Sequence, residues 1–264
     1  MTEFDVCSDL HLEFDLDFYG YLDRPYIDNL FSRGSSDNLI IAGDLFAIPY
    51  KNSEQLFDDI IGTVNEVIKS RYKNAYFVLG NHDYWYHYNG DQLPVNFWTE
   101  KLPSFKVLDI STNPVAQLDD LIIFGSTGWT EINDVVKQSL VQRWMNDYQY
   151  SDLTAGYTSK IASDTRAQID TVAKQHTDKK VVVITHHAPL QQCQYVHKDL
   201  PEAYFNSWDN LLDNNPNIVT WIHGHVHQRY QFQHNKCTVV SNARGYYDVE
   251  SASKNFYPLK VVVR

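Results

Sequence analysis

The sequence predicts an α/β fold with helices arranged around a sheet, and three observations lead to it. Short apolar, β-branched runs recur along the 264 residues. Each ends in a polar or glycine-rich turn, and longer stretches of helical spacing lie between several of them. The strands read in this way are Phe4–Cys7, Leu39–Ala42, Ala75–Leu79, Leu121–Phe124, Val181–Thr185, Val219–Ile222, Thr238–Ser241 and Leu259–Val263. The clearest helix follows Ser53, where Leu56, Phe57, Ile60, Ile61, Val64, Val67 and Ile68 form one apolar stripe that ends near Arg71. A second covers Thr158–Lys174, with Ile161, Ala162, Thr165, Ile169 and Val172 on one side, and a third lies within Asn133–Asn146. The aromatic-rich segments Tyr84–Trp98 and Gln194–Trp208 have weak periodicity and read as long loops of the kind that forms lids or binding surfaces.

Neither an interdomain linker nor a repeat interrupts this pattern, so residues 1–264 are read as a single domain. The charge balance is 22 Lys+Arg against 33 Asp+Glu, a net −11. Such a chain has no general basic field for gathering nucleic acid, which is not an expected partner. A hydrophobic share of 43% excludes a disordered chain. No apolar run approaches the ~20 residues of a membrane span. The opening Met1-Thr2-Glu3-Phe4-Asp5 lacks the basic start and apolar block of a signal peptide, which makes the cytoplasm the expected address. Cys7, Cys193 and Cys237 are widely spaced and read as packed thiols rather than a disulfide or zinc framework.

Histidine carries the chemical information. Most of the eleven fall in four short motifs: Asp9-Leu10-His11, Gly80-Asn81-His82-Asp83, Thr185-His186-His187-Ala188-Pro189 and His223-Gly224-His225-Val226-His227. A fifth motif, Ala42-Gly43-Asp44, has a carboxylate alone. Most of them directly follow an apolar strand, and in open α/β sheets the loops leaving the carboxyl ends of strands line the ligand crevice. Convergence of two Asp, one Asn and several His points to metal binding, with Zn, Mn, Fe, Co and Ni all suited to imidazole and carboxylate. Buried together without a cation, these groups would leave several polar atoms unpaired at about 1–3 kcal/mol each.

In their order along the chain these motifs resemble the calcineurin-like metallophosphoesterases, whose pattern runs D-x-H, G-D, G-N-H-D/E, a His after a strand, and G-H-x-H. The resemblance implies a four-layer α/β/β/α sandwich. It implies two divalent metal ions, with manganese and iron the family-based choices and Zn, Ni or Co also admissible. Carried over residue by residue, it implies that Asp9, His11 and His227 hold one metal, that Asn81, His186 and His225 hold the other, and that Asp44 bridges both. His186 is taken as the ligand because it is the first residue off its strand, which leaves His187 in a supporting or substrate-binding position. Two cations about 3.5–4 Å apart can acidify a shared water and clamp the attacked and departing oxygens of a phosphate ester.

His82 has no metal in this assignment and is given the general-acid role, with Asp83 orienting or charging it; a turn cap is the alternative for Asp83. The segments Phe124–Thr130, Met145–Tyr148 and Ser241–Tyr246 further resemble a bacterial branch that carries G-x-T-x-W-T, M-N-D-Y and N-P-R-G-Y, with Ala243 in place of the proline. Arg244 is a candidate for gripping a phosphate or carboxylate, and a structural ion pair is its other reading. Asn146 and Asp147 are read as structural. The phosphate-gripping arginines of the protein phosphatase branch are missing after Asp44 and Asp83, so phosphoprotein is a poor substrate. The expectation is a phosphoesterase acting on a small-molecule monoester or diester, a nucleotide among them. A non-catalytic metal-binding scaffold is the other reading, against which the intact His82 argues.

Overall fold

The computed structural model describes residues 1–47, 54–85, 94–193 and 200–264. Its elements, in chain order, are β1 (Thr2–Cys7), α1 (Leu12–Tyr19), α2 (Arg24–Leu30), β2 (Asn38–Ala42), α3 (Glu54–Arg71), β3 (Asn74–Val78), α4 (Pro94–Lys101), β4 (Lys106–Val107), β5 (Val115–Leu118), β6 (Leu121–Ser126), α5 (Val135–Trp144), α6 (Ala155–Gln175), β7 (Lys180–Thr185), α7 (Asp209–Asn214), β8 (Ile218–His223), β9 (Arg229–His234), β10 (Cys237–Asn242) and β11 (Leu259–Val263). The strands form two sheets, ordered β11-β1-β2-β3-β4 and β5-β6-β7-β8-β10-β9. In the first, β1 to β4 run parallel and β11 is antiparallel to β1. In the second, β6, β7, β8 and β10 run parallel, flanked by antiparallel β5 and β9.

Period-two alternation along the central strands builds the layers. Val6, Ile40, Ala42, Tyr76 and Val78 face Ile123, Val182, Ile184, Ile222 and Val240 between the sheets. The neighbouring residues Cys7, Ile41 and Phe77 turn outward against α1 to α4, through Leu12, Ile27, Phe57, Val64 and Trp98. On the far side Phe124, Val181, Val183 and Trp221 pack against Ala162, Ile169 and Ala173 of α6 and Leu211 and Leu212 of α7. Strands buried on both faces read as unbroken apolar runs, which is why the central ones stand out in the sequence. The result is the four-layer α/β/β/α sandwich.

Every strand read from the sequence is present, and so are the helices ending at Arg71, within Asn133–Asn146 and around Thr158–Lys174. One segment differs. Pro94–Lys101, which straddles the end of the expected Tyr84–Trp98 loop, is helix α4, and it buries Val95 and Trp98 against the first sheet. Ser53 and the stretches 86–93 and 194–199 of the two expected loops lie outside the described residues. Among the described residues, no helix is long and apolar enough to cross a membrane.

Candidate metal centre

All five motifs leave the carboxyl ends of parallel strands, three from the first sheet and two from the second, and backbone hydrogen bonds zip their loops together. Asp9 N–H donates to Gly43 C=O (3.0 Å), His11 N–H to Asp44 C=O (3.0 Å) and Gly224 N–H to His186 C=O (2.9 Å). The approach is close enough to demand glycine. A Cβ on Gly43, which has φ +85°, would fall 2.7 Å from Gly80 Cα and would collide with the His186 ring.

Local backbone conformation is equally constrained. Asp9 (φ 52°), His11 (46°), Asp44 (55°), His225 (68°) and His227 (48°) all occupy the left-handed region. Asp and His enter that region more readily than most side chains, yet each such residue still costs about 1–2 kcal/mol. Five of them in one cluster make the loops a strained cradle held by the two sheets.

The side chains converge as well. Ligand-type atoms of Asp9, His11 and His227 lie within 4.8 Å of one another, as do those of Asp9, Asp44 and His186, and those of His11, Asp44 and His82. Asp44 Oδ2 stands between the two halves, 3.5 Å from His11 Nε2 and 3.3 Å from His186 Nε2. Asn81 Oδ1 lies 2.8 Å from His186 Nε2 and 2.9 Å from His225 Nδ1.

A metal pair fits these residues, and the imidazoles provide the test. Each spends one ring nitrogen on an acceptor outside the centre: His11 Nδ1 on Glu13 (3.0 Å), His186 Nδ1 on the Ala42 carbonyl (2.8 Å), His225 Nε2 on the Ala203 carbonyl (3.3 Å) and His227 Nδ1 on Glu250 (2.6 Å). These acceptors fix the ring orientation and turn the lone-pair nitrogen inward, as the outer partners of metal-bound histidines do. The inward atoms therefore face one another as acceptors. His11 Nε2 and His227 Nε2 are 3.1 Å apart, and the buried Asp9 Oδ2 has no hydrogen-bond partner. A cation satisfies such a set where another acceptor cannot.

Electrostatics agree. Burial acts to lower the His186 pKa, but the Asp44 carboxylate outweighs it and lifts the group to about 9. Burial raises Asp44, and His186 with its histidine neighbours nevertheless holds its carboxyl well below the usual range. The carboxylates thus demand positive charge at this spot. Burial drives His225 well below an ordinary imidazole, with His187 and His186 adding to the effect, which leaves His225 a neutral donor of its lone pair.

For Asp83, Arg244 and His187 the geometry goes with the structural one of the two readings each carried. Asp83 points away from His82: its carboxylate accepts from the backbone N–H groups of Gly80 (2.7 Å), Asp44 (2.9 Å), Leu45 (3.2 Å) and Phe46 (3.3 Å), and so ties the β2 and β3 loops together. Arg244 is 1% exposed and does not reach the cavity. Its guanidinium grips Asp15 through two bonds (2.5 and 2.6 Å) and the Leu10 carbonyl (2.8 Å), which clamps the loop carrying Asp9 and His11. His187 is buried behind the cavity between the rings of Trp129 and His225, its pKa pushed down to about 3 by burial and by His186.

Other residues contribute that the motifs did not single out. Glu13 and Glu250 hold His11 and His227 of the candidate set, and Asp147, read as structural, accepts from Asn81 Nδ2. Glu13 lies two residues past the D-x-H motif, on the first turn of α1, a placement that could have flagged it. A cavity of about 490 Å³ opens over the centre, lined by Asp44, Asn81, His82 and His225 with Trp85, Trp144, Tyr204 and Tyr246 as its aromatic walls.

A family model of the calcineurin-like phosphoesterases matches residues 2–229. The chain belongs to that family. This phosphoesterase is therefore a phosphoric ester hydrolase of a kind that uses divalent metals. It is 26% identical to the uncharacterized protein L509 of Acanthamoeba polyphaga mimivirus, over 90% of this chain and 89% of that one. Among solved structures, the phosphopantetheinyl hydrolase PptH of Mycobacterium tuberculosis matches with a TM-score of 0.66 at 15% identity, covering 93% of this chain and 90% of that one. A putative 5'-nucleotidase from Staphylococcus aureus matches with a TM-score of 0.52 at 18% identity, covering 91% of this phosphoesterase but 48% of the larger chain. At these identities the structural matches speak for the fold alone.

Proposed function

We propose that this phosphoesterase, acting as a single domain, hydrolyses a small-molecule phosphomonoester or phosphodiester with two divalent ions, manganese or iron, in the centre. Asp9, His11 and His227 would hold one ion, Asn81, His186 and His225 the other, and Asp44 both. The observation that carries the reading is the inward set of acceptors, headed by the 3.1 Å approach of His11 Nε2 to His227 Nε2. When bound, the ions supply an acidified water and neutralise the charge of the phosphate.

The remaining work falls to side chains. His82 stacks on Trp85 with ring centroids 3.5 Å apart at 24°, which holds its plane. Its Nδ1 is engaged by Glu13 at 3.0 Å, and its Nε2 lies 3.5 Å from the Tyr246 hydroxyl, where both line the cavity. From there Nε2 is placed to give its proton to the departing ester oxygen. Trp85 and Tyr204 offer flat apolar surface to the rest of the substrate, which suits a nucleotide base or another planar group. The two solved structures are named as a phosphopantetheinyl hydrolase and a putative 5'-nucleotidase, so each name carries a phosphate-bearing group, the substrate class proposed here.

Elemental analysis together with a panel of mono-, di- and cyclic phosphates tests the proposal. The expected result is two equivalents of divalent metal and turnover that a chelator removes. Full hydrolysis of bis-p-nitrophenyl phosphate by metal-stripped protein would overturn it.

A further inference from the structure

We propose that Glu13 is a positioning residue for both halves of the reaction, fixing the metal-ligating nitrogen of His11 and the proton-donating nitrogen of His82 through a single carboxylate oxygen. The catalytic half rests on the general-acid reading of His82 given above.

Glu13 Oε1 lies 3.0 Å from His11 Nδ1 and 3.0 Å from His82 Nδ1, while Oε2 accepts from the Ala47 N–H at 3.1 Å. The two imidazoles stand edge to face, with centroids 4.4 Å apart, and share this oxygen on their Nδ1 sides. An ionised carboxylate has no proton to donate, so both rings must present Nδ1–H to it. Both oxygens sit as acceptors, Oε1 toward the two rings and Oε2 toward the Ala47 N–H, which is the geometry of a carboxylate.

The consequence is geometric. With Nδ1–H committed, the nitrogen left for chemistry is Nε2 in each ring. His11 Nε2 points at His227 and Asp44, and His82 Nε2 points into the cavity beside Tyr246. When the P–O bond breaks, its electron pair stays on the departing oxygen, which takes the proton from His82 Nε2. The neutral ring that remains keeps its Nδ1–H on Glu13, in the same orientation, until water returns a proton to Nε2. Among the described residues, the hydrogen bonds of either Nδ1 go to this carboxylate, so its loss removes the partner that selects the tautomer. One side chain therefore couples metal affinity to leaving-group protonation.

The test uses manganese-loaded protein and two esters of one phosphate class, one with a p-nitrophenyl and one with an alkyl leaving group. In Glu13→Gln the alkyl-to-aryl ratio of kcat/KM is expected to fall about 100-fold, as in His82→Ala, because only the alkyl ester needs the proton. The double variant should fall no further than His82→Ala alone, since both changes remove one function. The manganese dissociation constant, measured without substrate by equilibrium dialysis and metal analysis, should rise about 10–100-fold in Glu13→Gln and not in His82→Ala. Glu13→Asp, which keeps a carboxylate, should recover part of the ratio and serves if Glu13→Gln folds poorly. A wild-type ratio in both Glu13 variants, with the ratio lost in His82→Ala, overturns the proposal while sparing the general acid. An unchanged ratio in His82→Ala itself removes the general acid, and the catalytic half of the role of Glu13 goes with it.

Discussion

Asp147 Oδ1 accepts a 2.6 Å hydrogen bond from Asn81 Nδ2 and thereby decides which end of the Asn81 amide faces the metal centre. The carbonyl end is left pointing at His186 Nε2 and His225 Nδ1. Trp85 Nε1 donates to the same Asp147 oxygen at 3.1 Å, so one carboxylate orients the Asn81 amide and an aromatic wall of the cavity together.

Asp147→Ala should therefore free the amide to rotate. Metal affinity at the position held by Asn81, His186 and His225 is expected to drop about 10–100-fold, with turnover recovering at high metal concentration. Metal titration followed by activity measures both effects. Unchanged affinity would show that Asn81 is oriented by other contacts.

Asp44→Ala should have a broader effect. The carboxylate lies within 3.5 Å of His11 Nε2 and 3.3 Å of His186 Nε2, and its Oδ1 also accepts the His82 N–H at 2.8 Å. Its removal is expected to lower occupancy of both ions and to abolish turnover at any metal concentration tested. Elemental analysis distinguishes this from loss of one ion, which would place Asp44 on a single metal.

How much of this was legible in the sequence depends on which contacts are local. The five motifs were readable because each packs its ligand into a short turn after a strand, where residue type and spacing are visible together. Glu250, the contact of Glu13 with His82 and the contact of Asp147 with Asn81 were not readable because the partners lie 23, 69 and 66 positions away. Helix α4 escaped because its buried face has only Val95 and Trp98, too few to set a period. Asp83 had two readings, partner of His82 or turn cap, and adjacency alone could not choose between them; a three-residue 3₁₀ turn sends its carboxylate back to the amides of the β2 loop. The edge strand β9, Arg-Tyr-Gln-Phe-Gln-His, alternates exposed and half-buried residues and lacks the apolar run that marks a central strand.

Gly80→Ala tests the packing of the centre independently of its chemistry. The added methyl would meet the backbone and side chain of Asp44, including Cγ at 2.7 Å. Overpacking of this kind costs about 1–3 kcal/mol. A denaturant midpoint lowered by that amount, together with weaker metal binding, is the expected result. Wild-type stability and metal affinity would mean that the β2 and β3 loops separate more easily than their hydrogen bonds to Asp83 imply.

The Arg244–Asp15 pair separates a structural role from a substrate-binding one. Both side chains are buried, and Tyr26 closes the group with hydrogen bonds to each. Removing one member of a buried pair leaves the other charge uncompensated, at about 3–5 kcal/mol. Arg244→Met should therefore destabilise the fold by that order, visible in denaturant unfolding. Because Arg244 N–H and Gly245 N–H also donate to the Ser8 and Asp9 carbonyls (both 3.0 Å), the same loss should loosen the first metal loop. Replacing both charges, as in Arg244→Met with Asp15→Leu, should recover much of the stability, since neither partner is then stranded. An arginine that gripped the substrate phosphate would behave in the opposite way: KM would rise while the unfolding midpoint stayed put, and the second substitution would rescue nothing.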